Sequence, residues 1–368
     1  MNRWSCALVL IPFLVGCGGS SDDNGANTGG GSSGGAAGAG TGGGSSGGSG
    51  GTSGAAGSGT GGTGGGVGGG ESFSVDIGPI DVPSGYENTQ CVVKRLHNPA
   101  NFRVGLIENE ISSSSHHMIV YRTNDTEEKL TPFDCSPFVE TLDPTKGAPV
   151  MITQKSKDEL KLPEGVAFTL NENQMIRLEL HYINTTPGPV QVTASSKFTS
   201  IPESAFKDEA DFLFIGNPDI KIPANSSWTL GPTFFPLPSE YDGVNFFAIT
   251  GHEHHFGTNV KVSAVASESD PGSAVYDVPG WQWDEPETVK HDPPFQVPKG
   301  GGFSFTCDWK NTSNKQVSFG ESANAEMCFF WAYYYPSKGA KVCFHSDQAS
   351  FPINDCCPGG ALCSFLGN

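Results

Sequence analysis

Met175-Ile176-Arg177-Leu178-Glu179-Leu180-His181-Tyr182 decides the fold. Ile176, Leu178, Leu180 and Tyr182 alternate with Arg177, Glu179 and His181. That period of two belongs to a β-strand with one apolar face; a helix would repeat its apolar positions every three or four residues. His181 therefore points away from the core its own strand builds. Working outward, turn-forming clusters recur at Asp81-Val82-Pro83-Ser84-Gly85, Asn184-Thr185-Thr186-Pro187-Gly188 and Lys299-Gly300-Gly301-Gly302, with short segments between them. Long stretches of helical periodicity are missing. Many short strands separated by turns predict an all-β chain of sandwich architecture.

The same parity orients other side chains. In Thr250-Gly251-His252-Glu253-His254 the two histidines are two apart, which on a strand places both imidazoles on one side. That spacing suits a metal ion, and His255 is expected on the opposite side. In Glu326-Met327-Cys328-Phe329-Phe330-Trp331 the face of Met327 also carries Phe329, Trp331 and Tyr333, an aromatic surface around the sulfur. His116 and His117 are adjacent, and neighbours on a regular strand point apart. Both reach one ion only through a local irregularity or through different ring nitrogens. His97, His291 and His345 read as ordinary surface histidines.

The ends set the compartment. Arg3 precedes an apolar stretch, Ala7 to Val15, too short to span a bilayer as a helix, and Leu14-Val15-Gly16-Cys17 closes it. This resembles the lipobox of bacterial lipoproteins: residues 1–16 would be a signal peptide and Cys17 the lipidated first residue. Gly18 and Gly19 stand where an Asp would suggest inner-membrane retention, so an outer-membrane anchor in the cell envelope is expected, with the leaflet left open. Of the 53 residues from Gly18 to Gly70, 28 are glycine, and most others are Ser, Ala or Thr. Such a tract cannot bury enough apolar surface to order itself. It reads as a disordered linker over 17–70, with a root-mean-square reach of about 40 Å.

The remainder is long enough for two domains, expected at 71–204 and 205–340 with a break near Ser200 to Lys207, followed by a Cys-rich extension at 341–368. Without the leader and linker it holds 20 basic and 37 acidic residues. That excess argues against nucleic acid and anionic membrane surfaces as partners, so membrane contact is expected only through the anchor. Eight cysteines remain after Cys6 and Cys17: Cys91, Cys135, Cys307, Cys328, Cys343, Cys356, Cys357 and Cys363. An even number in an exported chain implies disulfides, and the absence of a CxxC pair disfavours a cysteine zinc site.

Neutral imidazole suits copper, zinc and iron, whereas a thioether selects copper, above all Cu(I). His116-His117-Met118, Leu180-His181-Tyr182, His252-Glu253-His254-His255 and Glu326-Met327-Cys328 occur in the order and approximate spacing of one family. The chain, over roughly Tyr86 to Pro336, resembles the copper type II, ascorbate-dependent monooxygenases, whose members include peptidylglycine α-hydroxylating monooxygenase and dopamine β-monooxygenase. The resemblance implies two tandem jelly-roll-like β-sandwiches facing across an open cleft, with two copper ions, one per domain. His116, His117 and His181 would form the electron-transfer site, and His252, His254 and Met327 the oxygen-activating, catalytic one. It implies a small-molecule substrate and O₂, one oxygen atom entering a C–H bond and the other leaving as water, with electrons from ascorbate or an equivalent. It also implies pairing of Cys307 with Cys328 and of Cys91 with Cys135.

Departures bear on the substrate. An arginine that holds the substrate carboxylate in the peptide-amidating members is replaced by Thr250, a tyrosine that helps it by Trp331, and an asparagine by Phe329. A pocket at Thr250, Phe329 and Trp331 would favour an apolar or aromatic substrate. A non-catalytic copper-binding or electron-transfer lipoprotein is the alternative. A zinc hydrolase or cupin lacks its further acidic ligand after the HxH pair, and an adhesion or carbohydrate-binding sandwich leaves the histidines unexplained.

Overall fold

The computed structural model describes residues 70–135, 146–320, 322, 324–348 and 352–360. The signal peptide, Cys17, nearly all of the linker and Cys363 lie outside the described residues. The first half supplies β1 (Ser72–Val82), β2 (Glu87–Arg95), β3 (Phe102–Ile111), β4 (Ser115–Thr123), β5 (Lys129–Asp134), β6 (Gly147–Thr153), β7 (Lys157–Lys161), β8 (Val166–Leu170), β9 (Met175–Ile183), β10 (Val190–Ser200) and β11 (Asp208–Glu209). They form two sheets, β1-β10-β3-β8-β11 with β7 also on β3, and β5-β2-β9-β4-β6. Between them pack Val92, Leu178, Leu180 and Tyr182 with Val104, Ile107 and Phe198.

The second half supplies β12 (Asp211–Gly216), β13 (Lys221–Ile222), β14 (Ser226–Pro236), β15 (Asn245–His252), β16 (Gly257–Val265), β17 (Ser273–Asp277), β18 (Val289–Phe295), β19 (Gly302–Asn311), β20 (Val317–Ser318), β21 (Phe329–Tyr335), β22 (Lys341–Ser346) and β23 (Ile353–Cys357). A six-stranded sheet, β18-β15-β21-β12-β22-β23, faces a four-stranded one, β14-β19-β16-β17, and β13 pairs β20. The fold class expected from alternation is the one observed. Residues 341–357, set apart in the sequence as Cys-rich, supply β22, which runs parallel to β12, and β23 beside it.

Strand parity explains why the halves meet as they do. On β21, Phe330, Ala332 and Tyr334 enter the core between the second pair of sheets. Phe329, Trp331 and Tyr333 point the other way, into a cluster shared with Ile119, Tyr121 and Ile152 of the first half. Fully burying such side chains stabilises by about 1.5–3 kcal/mol each. The open cleft that the resemblance implied is therefore closed here at the seam, and the Tyr333 hydroxyl accepts a hydrogen bond from Ile152 N–H across it at 3.3 Å. The aromatic face of β21 would otherwise stand in water.

Disulfides join Cys91 to Cys135 and Cys307 to Cys328, the two pairs the resemblance implied, and also Cys343 to Cys356. Cys357 is disulfide-bonded as well.

Candidate metal centre

His117 and His181 are direct cross-strand partners between β4 and β9. The ladder slips between Ser115 and His117, so His116 is the extra residue of a β-bulge. This irregularity lets two adjacent histidines serve one place. Ring centroids lie 5.1 Å apart for His116 and His117, 5.2 Å for His116 and His181, and 5.0 Å for His117 and His181. One nitrogen from each of the three lies within 4.8 Å of the others, close enough to hold one metal ion.

The second pair arises differently from the strand reading. β15 ends at His252, and His254 sits in the turn beyond it, its carbonyl accepting from Gly257 N–H. Its place beside His252, with ring centroids 5.0 Å apart, comes from Glu326. That carboxylate accepts from the backbone N–H of His254 at 2.8 Å and of Phe256 at 2.7 Å, and from Trp309 Nε1 at 2.9 Å. Burial pushes its pKa up to about 7, while these donors hold it down. Met327, the next residue, is buried in the cluster of Phe329 and Trp331. His255 is exposed and packs its ring 5.5 Å from Trp283.

Across the seam the two groups are neighbours. His116 lies 6.2 Å from His254 and His117 lies 6.4 Å from His252, centroid to centroid. All five histidines are at most 5% exposed. Desolvation lowers the pKa of His116, His117 and His252 well below 6.5 and that of His254 to about 4, and the neighbouring imidazoles add to each shift. They are neutral bases at pH 7, the form that binds metals.

Their partners select the ring nitrogen. His254 Nδ1 faces the carbonyls of Ser322 at 3.0 Å and Ala325 at 3.2 Å. Carbonyls only accept, so Nδ1 carries the proton and Nε2 keeps the lone pair. His181 Nε2 lies 3.0 Å from Glu87 Oε1, an acceptor, so Nε2 is the donor there. Nε2 of His116 and Nε2 of His254 are buried without a hydrogen bond. Leaving a buried polar atom unsatisfied costs about 1–3 kcal/mol, and a cation bound among them would remove that cost. The donor set therefore fits an imidazole-binding metal.

The residues read as a substrate pocket are packed. The Thr250 hydroxyl is hydrogen-bonded to that of Thr288 at 2.8 Å. Phe329 stacks on Phe214 at 4.8 Å, and Trp331 lies 6.0 Å from His252. Gly216 is required here, because a Cβ on it would come within 2.0 Å of the Phe329 ring. A cavity of about 670 Å³ opens elsewhere on the seam, lined by charged groups such as Lys155, Asp158, Glu287 and Lys290 and by none of the histidines.

Glu87, Gln154, Trp283 and Glu326 were not singled out in the sequence. Only Glu326 had a visible signal, an acid placed directly before Met327 in an otherwise apolar run. His345 is buried, not a surface histidine, and is held by Asn354 at 2.8 Å.

Fold and site together define an all-β protein with a buried imidazole cluster suited to a metal ion. Residues 223–354, which carry His252, His254 and Met327, match the family model of the copper type II ascorbate-dependent monooxygenase C-terminal domain, and that stretch belongs to this family. His116, His117 and His181 precede the matched stretch. Among solved structures the chain is similar to the major capsid protein P2 of bacteriophage PM2, with 10% identity, 73% of this chain and 100% of that one covered, and a TM-score of 0.31. It is also similar to PNGase F, a glycosylasparaginase from Flavobacterium meningosepticum, with 13% identity, 76% and 99% covered, and a TM-score of 0.30. Likeness this faint carries no argument.

Proposed function

We propose that the chain is a copper-dependent monooxygenase that hydroxylates a C–H bond of a small, apolar or aromatic organic molecule with O₂ and an ascorbate-like reductant. The observation that carries this reading is the convergence of five buried imidazoles on one seam, three from the first half and two from the family-matched second half. His116, His117 and His181 would hold one copper ion and His252, His254 and Met327 the other. Copper there would supply one-electron chemistry and activation of O₂.

The chain's own residues prepare the site. Burial keeps His116, His117, His252 and His254 unprotonated. Glu87 and the carbonyls of Ser322 and Ala325 aim particular ring nitrogens inward. Trp331, packed 6.0 Å from His252, helps exclude water there, and the apolar substrate class rests on Thr250, Phe329 and Trp331 standing where the resemblance expects polar or carboxylate-holding side chains. The near-complete burial of all five clustered histidines favours a second reading, a copper-binding or electron-transfer protein without substrate turnover.

Copper stoichiometry followed by oxygen uptake with ascorbate and a panel of aromatic amines, amides and hydrocarbons separates these readings. Two coppers per chain and substrate-dependent uptake are expected. Copper binding without uptake would leave the electron-transfer reading, and zinc in both places would remove both. We further propose attachment to the bacterial envelope, in the outer membrane, through a lipid on Cys17; loss of labelled fatty acid in Cys17→Ser tests it.

A further inference from the structure

We propose that Gln154 is a positioning residue for His252, setting from the opposite side of the seam which nitrogen of that imidazole carries the proton. Gln154 directly follows β6 of the first half and is buried. Its amide is gripped at both ends by the second half. Nε2 donates to the backbone carbonyl of Trp283 at 3.3 Å, and Oε1 lies 3.1 Å from His252 Nδ1. A carbonyl cannot donate, so Trp283 forces the NH₂ end of the amide toward itself and leaves Oε1 facing the imidazole. Oε1 can only accept. His252 Nδ1 must then be the protonated nitrogen, and the lone pair is left on Nε2, the same tautomer that Ser322 and Ala325 impose on His254.

The arrangement has a consequence for the fold as a whole. His254 is oriented by its own half, through a loop that Glu326 holds. His252 is oriented by the other half. Presentation of its Nε2 therefore depends on the seam being closed, and a metal ligand of the second group becomes sensitive to the position of the first. A polar partner of this kind, acting through a ligand's remote nitrogen, typically changes metal affinity 10–100-fold when removed.

The inference rests on the copper reading for its second measurement only. The first is made on metal-free protein: ¹⁵N-histidine NMR, with the His252 signals assigned by their absence in His252→Asn. Wild type is expected to show His252 in the Nδ1–H form. Gln154→Met, which removes both polar ends at similar volume, is expected to give a mixture of the two tautomers. Gln154→Glu, which keeps an acceptor toward Nδ1–H, is expected to restore the wild-type pattern. Copper titration should show one of two ions bound about 10-fold more weakly in Gln154→Met and near wild type in Gln154→Glu. An unchanged tautomer in Gln154→Met, or loss of copper in both variants with no change of tautomer, overturns the proposal. If the tautomer shifts as expected while wild type binds no copper, the copper reading fails and the role of Gln154 stands.

Discussion

His254 donates its backbone N–H to Glu326 Oε2 at 2.8 Å, so the loop that carries one histidine is pinned by the residue just before Met327. Glu326→Ala would strand the N–H groups of His254 and Phe256 and the indole N–H of Trp309 in a buried place. The expected loss is on the order of 3 kcal/mol or more, visible as a lower urea midpoint. Glu326→Gln keeps one acceptor and should lose clearly less. Equal stability of wild type and the alanine variant would remove Glu326 from this role.

Acid should destabilise the metal-free protein. His116, His117, His252 and His254 have folded pKa values below 6.5, that of His254 at about 4. Between those limits the unfolded chain binds more protons, so stability rises with pH and is lost as pH falls from 6.5 toward 4. Glu253 and Glu326 act oppositely, since burial raises their pKa above 4.5 and the folded state keeps their protons. Four histidines outweigh two carboxylates. The urea midpoint at pH 6.5 should exceed that at pH 5, and a flat or inverted profile would show that the imidazoles are not held neutral.

Met327→Ile is close to volume-conserving in a core, so its cost should stay under about 1.5 kcal/mol. It removes the only thioether of the set. Copper at His116, His117 and His181 should persist and oxygen uptake should vanish. His117→Ala should leave the second site its copper and slow electron delivery. Full turnover in both variants would contradict the assignment of roles.

Gly216→Ala tests the aromatic wall. Its Cβ would meet the Phe329 ring at 2.0 Å, with Phe329 itself stacked on Phe214. Overpacking of this kind costs about 1–3 kcal/mol, measurable as a drop in thermal midpoint. No drop would mean that the wall yields easily.

Strand parity was legible. Alternation over residues 175–182 placed His181 opposite Leu178 and Leu180, as observed, because a period of two survives whatever the strand packs against. The bulge at His116 was not legible, since an extra residue in one strand exists only relative to its partner. His252 and His254 do lie side by side, but strand geometry is not the cause; β15 stops at His252 and an acid 72 positions away from His254 does the rest. Gln154 lies 98 positions from His252, and no local pattern marks it. The closed seam escaped for a related reason. Period reveals that β21 has two apolar faces, yet it does not say that the second face meets Ile119 and Ile152.

That seam also governs exchange. With all five rings at most 5% exposed and Tyr333 tied to Ile152 across the join, an ion held among them would be shielded from solvent by the described residues. If its departure requires the two halves to part, opening sets the pace. The rate of removal by a chelator should then level off at a value independent of chelator concentration, so that a metal-release experiment becomes a clock for the opening of the protein.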